Sequence, residues 1–132
     1  MSKNAAGLAA YIRRNVAGIY QIRNMATGKR YIGSSIYLRE RLRQHALTLY
    51  GGSHLNHRLQ RDFERHGGEN FAFEVLARFW HRHRDLRVIE QGYIDRFKTR
   101  NPRHGYNRRP SLGVPSQYPP NTDADTFRGI WK

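Results

Sequence analysis

Residues 71–79 (FAFEVLARF) alternate, with Phe71, Phe73, Val75, Ala77 and Phe79 projecting to one side of an extended chain. A strand with one apolar side has to be covered on that side and hydrogen-bonded along its edges, so the chain needs a sheet with elements packed on it. Its 132 residues leave room for one modest core and not for two. The fold must therefore be a small sheet in a single domain with short extensions.

Partners for this strand lie upstream. Residues 16–23 have strand composition, Gly28 suits the turn of a hairpin whose loop covers 24–29, and residues 30–36 form the returning strand. From Leu38 the period changes: Leu38, Leu42, Ala46 and Leu49 share one side of a helix that Gly51 and Gly52 end. Ser53 is a candidate N-cap for a second helix with Leu55, Leu59 and Phe63 inward, stopping at Gly67 and Gly68. A third helix is expected over 84–99, and a short amphipathic one over 5–14. The segment from Asn101 onward has no periodicity and holds all five prolines, so it reads as an extended tail. The fold class is α+β, a small sheet of about three strands flanked by about three helices, with a short N-terminal helix and an extended C-terminal tail.

Charge narrows the partners. Lys and Arg number 24 against 10 Asp and Glu, a net charge of +14 that repels itself in a compact chain. A polyanion relieves that repulsion, and nucleic acid is the leading one, because guanidinium pairs bidentately with phosphate. An acidic membrane surface is the rival. The basic residues are spread along the chain rather than gathered on one helix face, which argues against it. No apolar run approaches the ~20 residues that span a bilayer, and residues 1–14 lack a signal-like apolar stretch, so a soluble, non-secreted, cytoplasmic protein is expected. With no cysteine there is neither a disulfide nor a thiolate zinc site, and any metal must use oxygen or imidazole ligands.

Three places interrupt the apolar pattern. Wound as a helix, residues 84–99 put Leu86, Glu90, Tyr93 and Phe97 in one stripe with Ile89 and Ile94 at its edges, so Glu90 sits among apolar neighbours. A buried carboxylate needs a cation or a hydrogen-bonding network, and pattern alone leaves an arginine ion pair and a metal equally open. On the first helix, which begins at Leu38, His45 lies between Leu38, Leu42 and Leu49, with Arg41 one turn earlier. A satisfied core histidine and a catalytic one both fit that placement. In the hairpin, Tyr20 and Tyr31 share a face if their strands pair so that they oppose one another, as a packed aromatic pair or as part of a site.

These residues resemble one family. Gly18-Ile19-Tyr20, ten residues, then Tyr31-Ile32-Gly33 is similar to the paired signature of the GIY-YIG nucleases, and the match continues in order through Ser34, Arg41, His45, His54, Glu90 and Gly105-Tyr106-Asn107. It covers Ala17 to Asn107, which sets the domain at 17–107 between extensions at 1–16 and 108–132. Residues 53–67 look like the catalytic domain of phage intron-homing members. The resemblance implies an antiparallel three-stranded sheet and phosphodiester hydrolysis with Mg²⁺ or Mn²⁺. It implies further that Glu90 is the metal ligand and that Arg41 lies at the scissile phosphate. Tyr20, Tyr31 and His45 match the groups around the attacking water, and Asn107 matches an asparagine near the active site. His54 corresponds to a less widespread polar position.

Such roles are chemically coherent. A phosphodiester repels nucleophiles and gathers negative charge in its transition state, which a metal and an arginine both stabilise. Water must also lose a proton, and a tyrosine with a reference pKa of ~10 is a base only if nearby cations favour its phenolate. Arg41, a metal and His45 are expected to supply that bias, with Tyr20 taking the proton directly or through His45 and Tyr31 orienting water or phosphate. Arg39, Arg43, Arg58 and Arg61, with His54, are the candidate DNA contacts. His57, His66, His81 and His83 suit phosphate contacts or plain solvation better than metal binding. The expected function is a metal-dependent DNA endonuclease of homing or restriction type. Alternatives are a structure-selective or single-strand-selective nuclease of repair or uptake, and an idle DNA-binding module of the same fold. Weak intrinsic specificity, a homodimer and a recruiting protein partner are all open as means of targeting.

Overall fold

The computed structural model describes residues 16–79 and 85–109. The helix expected over 5–14, His81, His83 and the tail beyond 109 lie outside the described residues. Strand β1 (Ala17–Asn24) and strand β2 (Arg30–Ser35) form the hairpin, followed by helices α1 (Leu38–Gly51) and α2 (His57–His66), strand β3 (Phe71–Phe79) and helix α3 (Leu86–Phe97). A single 3-10 turn, Gly68–Asn70, leads into β3.

Local chemistry fixes the joints. Asn24 accepts the Ala26 N–H on its side chain at 2.9 Å, and Gly28 takes a φ of 82°, which only glycine adopts without strain. Gly52 ends α1 at a φ of 79°, its N–H bonded back to carbonyls of the last turn. The sheet order is β2-β1-β3 with both pairings antiparallel, so β1 is central. An irregularity between Ile19 and Tyr20 shifts the β3 register there, so the expected single apolar face is broken: Phe71, Phe73 and Val75 pack on the Tyr20 side, whereas Ala77 and Phe79 pack with Ile19 on the other.

Alternation sends successive β1 residues to two cores. Tyr20 and Ile22 join Tyr31, Leu38, Leu42, Leu49, Leu59, Phe63, Phe71, Phe73 and Tyr106 beneath α1 and α2. Ile19 and Ile32 join Leu86 and Ile94 of α3 on the opposite face. Among the described residues no helix is long and apolar enough to cross a membrane.

Four further expectations need correction. Asn56, not Ser53, caps α2, accepting the Leu59 N–H at 3.1 Å on its side chain, and the later start leaves Leu55 at 64 % exposed instead of inward. On α3 the buried positions are Leu86, Glu90 and Ile94, while Tyr93 and Phe97 are half-buried, because the sheet meets the helix nearer its Ile94 side. Tyr20 pairs with Gly33 and Tyr31 with Ile22, so the two phenols share a face diagonally rather than in opposition.

The fourth concerns residues 101–107, which lack of periodicity assigned to the tail and the family resemblance to the domain: they dock on the sheet. Arg30 N–H donates to the His104 carbonyl at 3.1 Å and Tyr106 N–H to the Arg30 carbonyl at 2.9 Å, which covers the outer edge of β2. Gly105 permits that approach, since a Cβ there would stand 2.5 Å from the Arg30 carbonyl oxygen.

Candidate active site

The hairpin places the first two groups. Tyr20 is fully buried on the α1 side of β1, and the residue facing it on β2 is Gly33, where a Cβ would overlap the phenol ring and its oxygen. The missing side chain on Gly33 is what makes room for Tyr20. Tyr31 lies one diagonal step away on the same face. Helix α1 then presents His45, whose Nε2 is 2.6 Å from Tyr20 Oη.

A second histidine extends this contact. His45 Nδ1 is 2.7 Å from His54 Nε2, and the rings stack with centroids 5.0 Å apart. His54, expected as a DNA contact, is only 6 % exposed, and its Nδ1 accepts the Asn56 backbone N–H at 3.0 Å. Tyr31 packs edge-on against both imidazoles. The result is a continuous line of polar atoms from the start of α2 to the middle of β1.

From the other face α3 delivers Glu90, fully buried, with Ser34 of β2 donating its hydroxyl hydrogen to Oε1. Asn107 reaches the same strand: its Oδ1 accepts the Ile32 N–H and its Nδ2 donates to the Ile32 carbonyl, each at 2.8 Å. It thereby acts on β2 as a one-residue strand partner, directly beside Tyr31. Among the described residues no three or more histidine, aspartate or glutamate side chains group as a metal cage.

The protein's own groups hold both tyrosines as phenols, before any contribution from the metal that the expected bias included. Burial pushes the Tyr20 phenol well above its ordinary value, Tyr31 and Glu90 add to the effect, and only Arg41 opposes it. Tyr31 is raised by burial and by Glu90, again against Arg41. His45 is pushed well down by burial, with smaller contributions from His54 and Arg41, and burial takes His54 down to about 4. Both imidazoles are therefore neutral near neutral pH, and both phenols keep their protons. Desolvation outweighs the one guanidinium that favours ionisation.

A cavity of about 310 Å³ opens beside this line, bordered by Arg41, Gln44, His45, Leu47, Thr48, His54 and Leu55. Arg39, Arg43 and Arg61 are exposed and Arg58 is half-buried. Arg43 makes a surface ion pair with Glu40 one turn away.

Comparison with known proteins decides the family. Residues 16–107 match the model of the GIY-YIG catalytic domain. The chain belongs to the GIY-YIG family. Two solved structures of the catalytic domain of intron endonuclease I-TevI share its fold. One is a mutant form, with a TM-score of 0.64 at 27 % identity over 75 % of this chain and 99 % of that one. The second gives 0.62 at 30 % identity, over 69 % and 96 %. In sequence the chain is 41 % identical over 51 residues to intron-associated endonuclease 1 of Enterobacteria phage T4, an alignment covering 39 % of this chain and 21 % of that protein. Nucleases of the GIY-YIG family generally use divalent metal ions.

Around the GIY-YIG tyrosines the structure gathers Tyr20, Tyr31, His45 and His54 by direct contact, and brings Arg41 and Glu90 within electrostatic reach of both phenols. Asn107 is held at the backbone of β2 instead. Sequence reasoning gave no role to Ser34, Asn56 or Gln60, whose Oε1 accepts the His54 N–H at 2.9 Å. For Asn56 a signal existed, since an asparagine before an apolar-periodic segment is as good an N-cap as Ser53.

Proposed function

We propose that this chain is the catalytic domain of a divalent-metal-dependent DNA endonuclease, of the mobile-element type that its intron-associated relative represents. The observation that carries the reading is the convergence on Tyr20: a histidine line behind it, Arg41 lowering its phenol pKa, and Glu90 buried close enough to raise it. A charge of +14 suits a phosphate-rich substrate.

Glu90 fits a hard cation such as Mg²⁺ or Mn²⁺. It offers one carboxylate, anchored through Oε1 by Ser34, and such ions take one or two carboxylates while keeping several waters. A divalent ion held by Glu90 would supply positive charge that stabilises a phosphate gathering negative charge and would offset the effect of Glu90 on the phenols.

The protein's own groups then divide the work. Arg41 pairs with the scissile phosphate and, together with a metal at Glu90, would favour loss of the Tyr20 proton to solvent; the phenolate so formed receives the proton of the attacking water. Tyr31 orients that water or the phosphate, His45 and His54 hold the Tyr20 oxygen, and Asn107 fixes the β2 backbone that carries Tyr31. Arg39, Arg43, Arg58 and Arg61 provide phosphate contacts along the duplex.

Supercoiled plasmid, linear duplex and branched DNA, each incubated with Mg²⁺, Mn²⁺ or chelator, test the proposal with Glu90→Ala as the control. Cutting that requires the metal and disappears in the variant is expected. Salt-sensitive binding of all three substrates without cutting identifies an idle binding module and overturns the enzymatic reading.

A further inference from the structure

Hydrogen bonds have a direction, and along the line behind Tyr20 one of them cannot be reversed. The Asn56 backbone N–H points at His54 Nδ1 from 3.0 Å, and a backbone N–H only donates. His54 Nδ1 therefore carries no hydrogen. A neutral imidazole has one N–H, so in His54 it is on Nε2, 2.7 Å from His45 Nδ1, which must accept. The hydrogen of His45 is then on Nε2, 2.6 Å from Tyr20 Oη. The opposite polarity would set an N–H on His54 Nδ1 against the N–H of Asn56, donor facing donor.

We propose that Asn56 sets the direction of this line, so that His45 donates a hydrogen bond to the Tyr20 oxygen and does not accept the Tyr20 proton. Both rings are neutral, as their burial requires, which is the condition for the polarity to hold. Tyr20 is thus an acceptor towards His45, and its own hydrogen points off that axis. His45 Nε2 is then occupied by its own hydrogen and cannot take the Tyr20 proton, and a Tyr20 phenolate would keep the hydrogen bond it already had.

Asn56 is built to hold this position. Its Oδ1 accepts the Leu59 N–H at 3.1 Å, its Nδ2 donates to the Tyr106 carbonyl at 2.7 Å, and its carbonyl accepts the Gln60 N–H at 2.9 Å. The backbone of His54 is held as well, its main-chain N–H donating to Gln60 Oε1. Asn56 is two groups away from Tyr20, so it is a positioning residue. The catalytic consequence rests on the proposed role of Tyr20, whereas the direction of the line does not.

The two parts separate experimentally. In the ¹⁵N-labelled full chain at neutral pH, without DNA or metal, long-range ¹H–¹⁵N correlation spectra show which ring nitrogen of each histidine carries the hydrogen. His45 and His54 are assigned through single glutamine variants. Hydrogen on Nε2 of both rings is expected; hydrogen on Nδ1 of either overturns the proposal, whether or not the protein cuts DNA. Two variants at the same position isolate the backbone donor. Asn56→Ala loses the side-chain bonds but keeps the N–H, and both rings should remain Nε2-protonated. Asn56→Pro suits the observed φ of −83° but removes the N–H. It should give mixed His54 tautomers and a fall in kcat of roughly tenfold or more with KM little changed, as loss of an outer-shell orienting contact does. A Pro variant with unaltered tautomers and unaltered kcat denies Asn56 the role. Should that variant not fold, the wild-type and Asn56→Ala spectra still decide the direction.

Discussion

Tyr20 and Gly33 face each other across the β1–β2 ladder, and the Tyr20 phenol fills the space where a side chain on residue 33 would begin. Even one methyl group there would meet the ring and its hydroxyl. Gly33→Ala is expected to push Tyr20 off His45, at an overpacking cost of about 1–3 kcal/mol in unfolding free energy. Cleavage should fall by roughly 100-fold or more, because misplacement by about 1 Å is enough for that. Urea unfolding and plasmid nicking measured on one preparation check both, and near-normal nicking would contradict the packing argument.

Ser34 and Glu90 form the second testable pair. The serine hydroxyl donates to a buried carboxylate, so Ser34→Ala removes a charge-assisted hydrogen bond. The expected loss of stability is about 1–3 kcal/mol. Affinity for Mn²⁺, followed by calorimetry, should weaken about tenfold, as for other changes to groups that orient a metal ligand. Unchanged Mn²⁺ affinity would show that Glu90 does not depend on Ser34 for its orientation.

Particular residues show how much of this was legible in the chain. Glu90 stood out because a carboxylate among Leu86, Ile89 and Ile94 breaks a helical apolar pattern, and burial of such a group demands an explanation. The strand and helix order was equally readable, since each element has its own period. Tyr20 and Tyr31 carried no such signal, because tyrosine is ordinary in strands, and their diagonal relation depends on a register that Gly33 reveals only once the pairing is known. Periodicity alone read residues 101–107 as tail, and only the resemblance placed them in the domain, because they dock by single backbone pairings and the Asn107 amide, which leave no period in the sequence. The pairing of His45 with His54 was hidden for a similar reason: it forms across the turn between two helices, where helical spacing says nothing.

Asn107 supplies the third prediction. Its amide meets both backbone groups of Ile32, which is fully buried, so Asn107→Ala leaves an N–H and a carbonyl unsatisfied. A loss of about 2–6 kcal/mol in unfolding free energy follows from two such groups. Asn107→Asp keeps the acceptor for Ile32 N–H but turns a carboxylate oxygen towards the Ile32 carbonyl, and should be less stable than Asn107→Ala. Denaturant midpoints of the two variants rank them, and the reverse order would refute the pinning role.

Acid should weaken the domain through its histidine pair. Burial holds His54 at about 4 in the folded protein against 6.5 when unfolded, and His45 is lowered as well. A base whose folded pKa is depressed binds fewer protons folded than unfolded once the pH drops below its unfolded value. No stability is lost on this account above 6.5. It falls as the pH is lowered from 6.5 towards about 4, where His54 takes up its proton in the folded state too and its contribution levels off. His54→Gln keeps a neutral polar group at the position and removes the titration. Urea midpoints measured across this range should fall more steeply for the wild-type chain than for His54→Gln. Parallel slopes would mean that other groups govern the acid sensitivity.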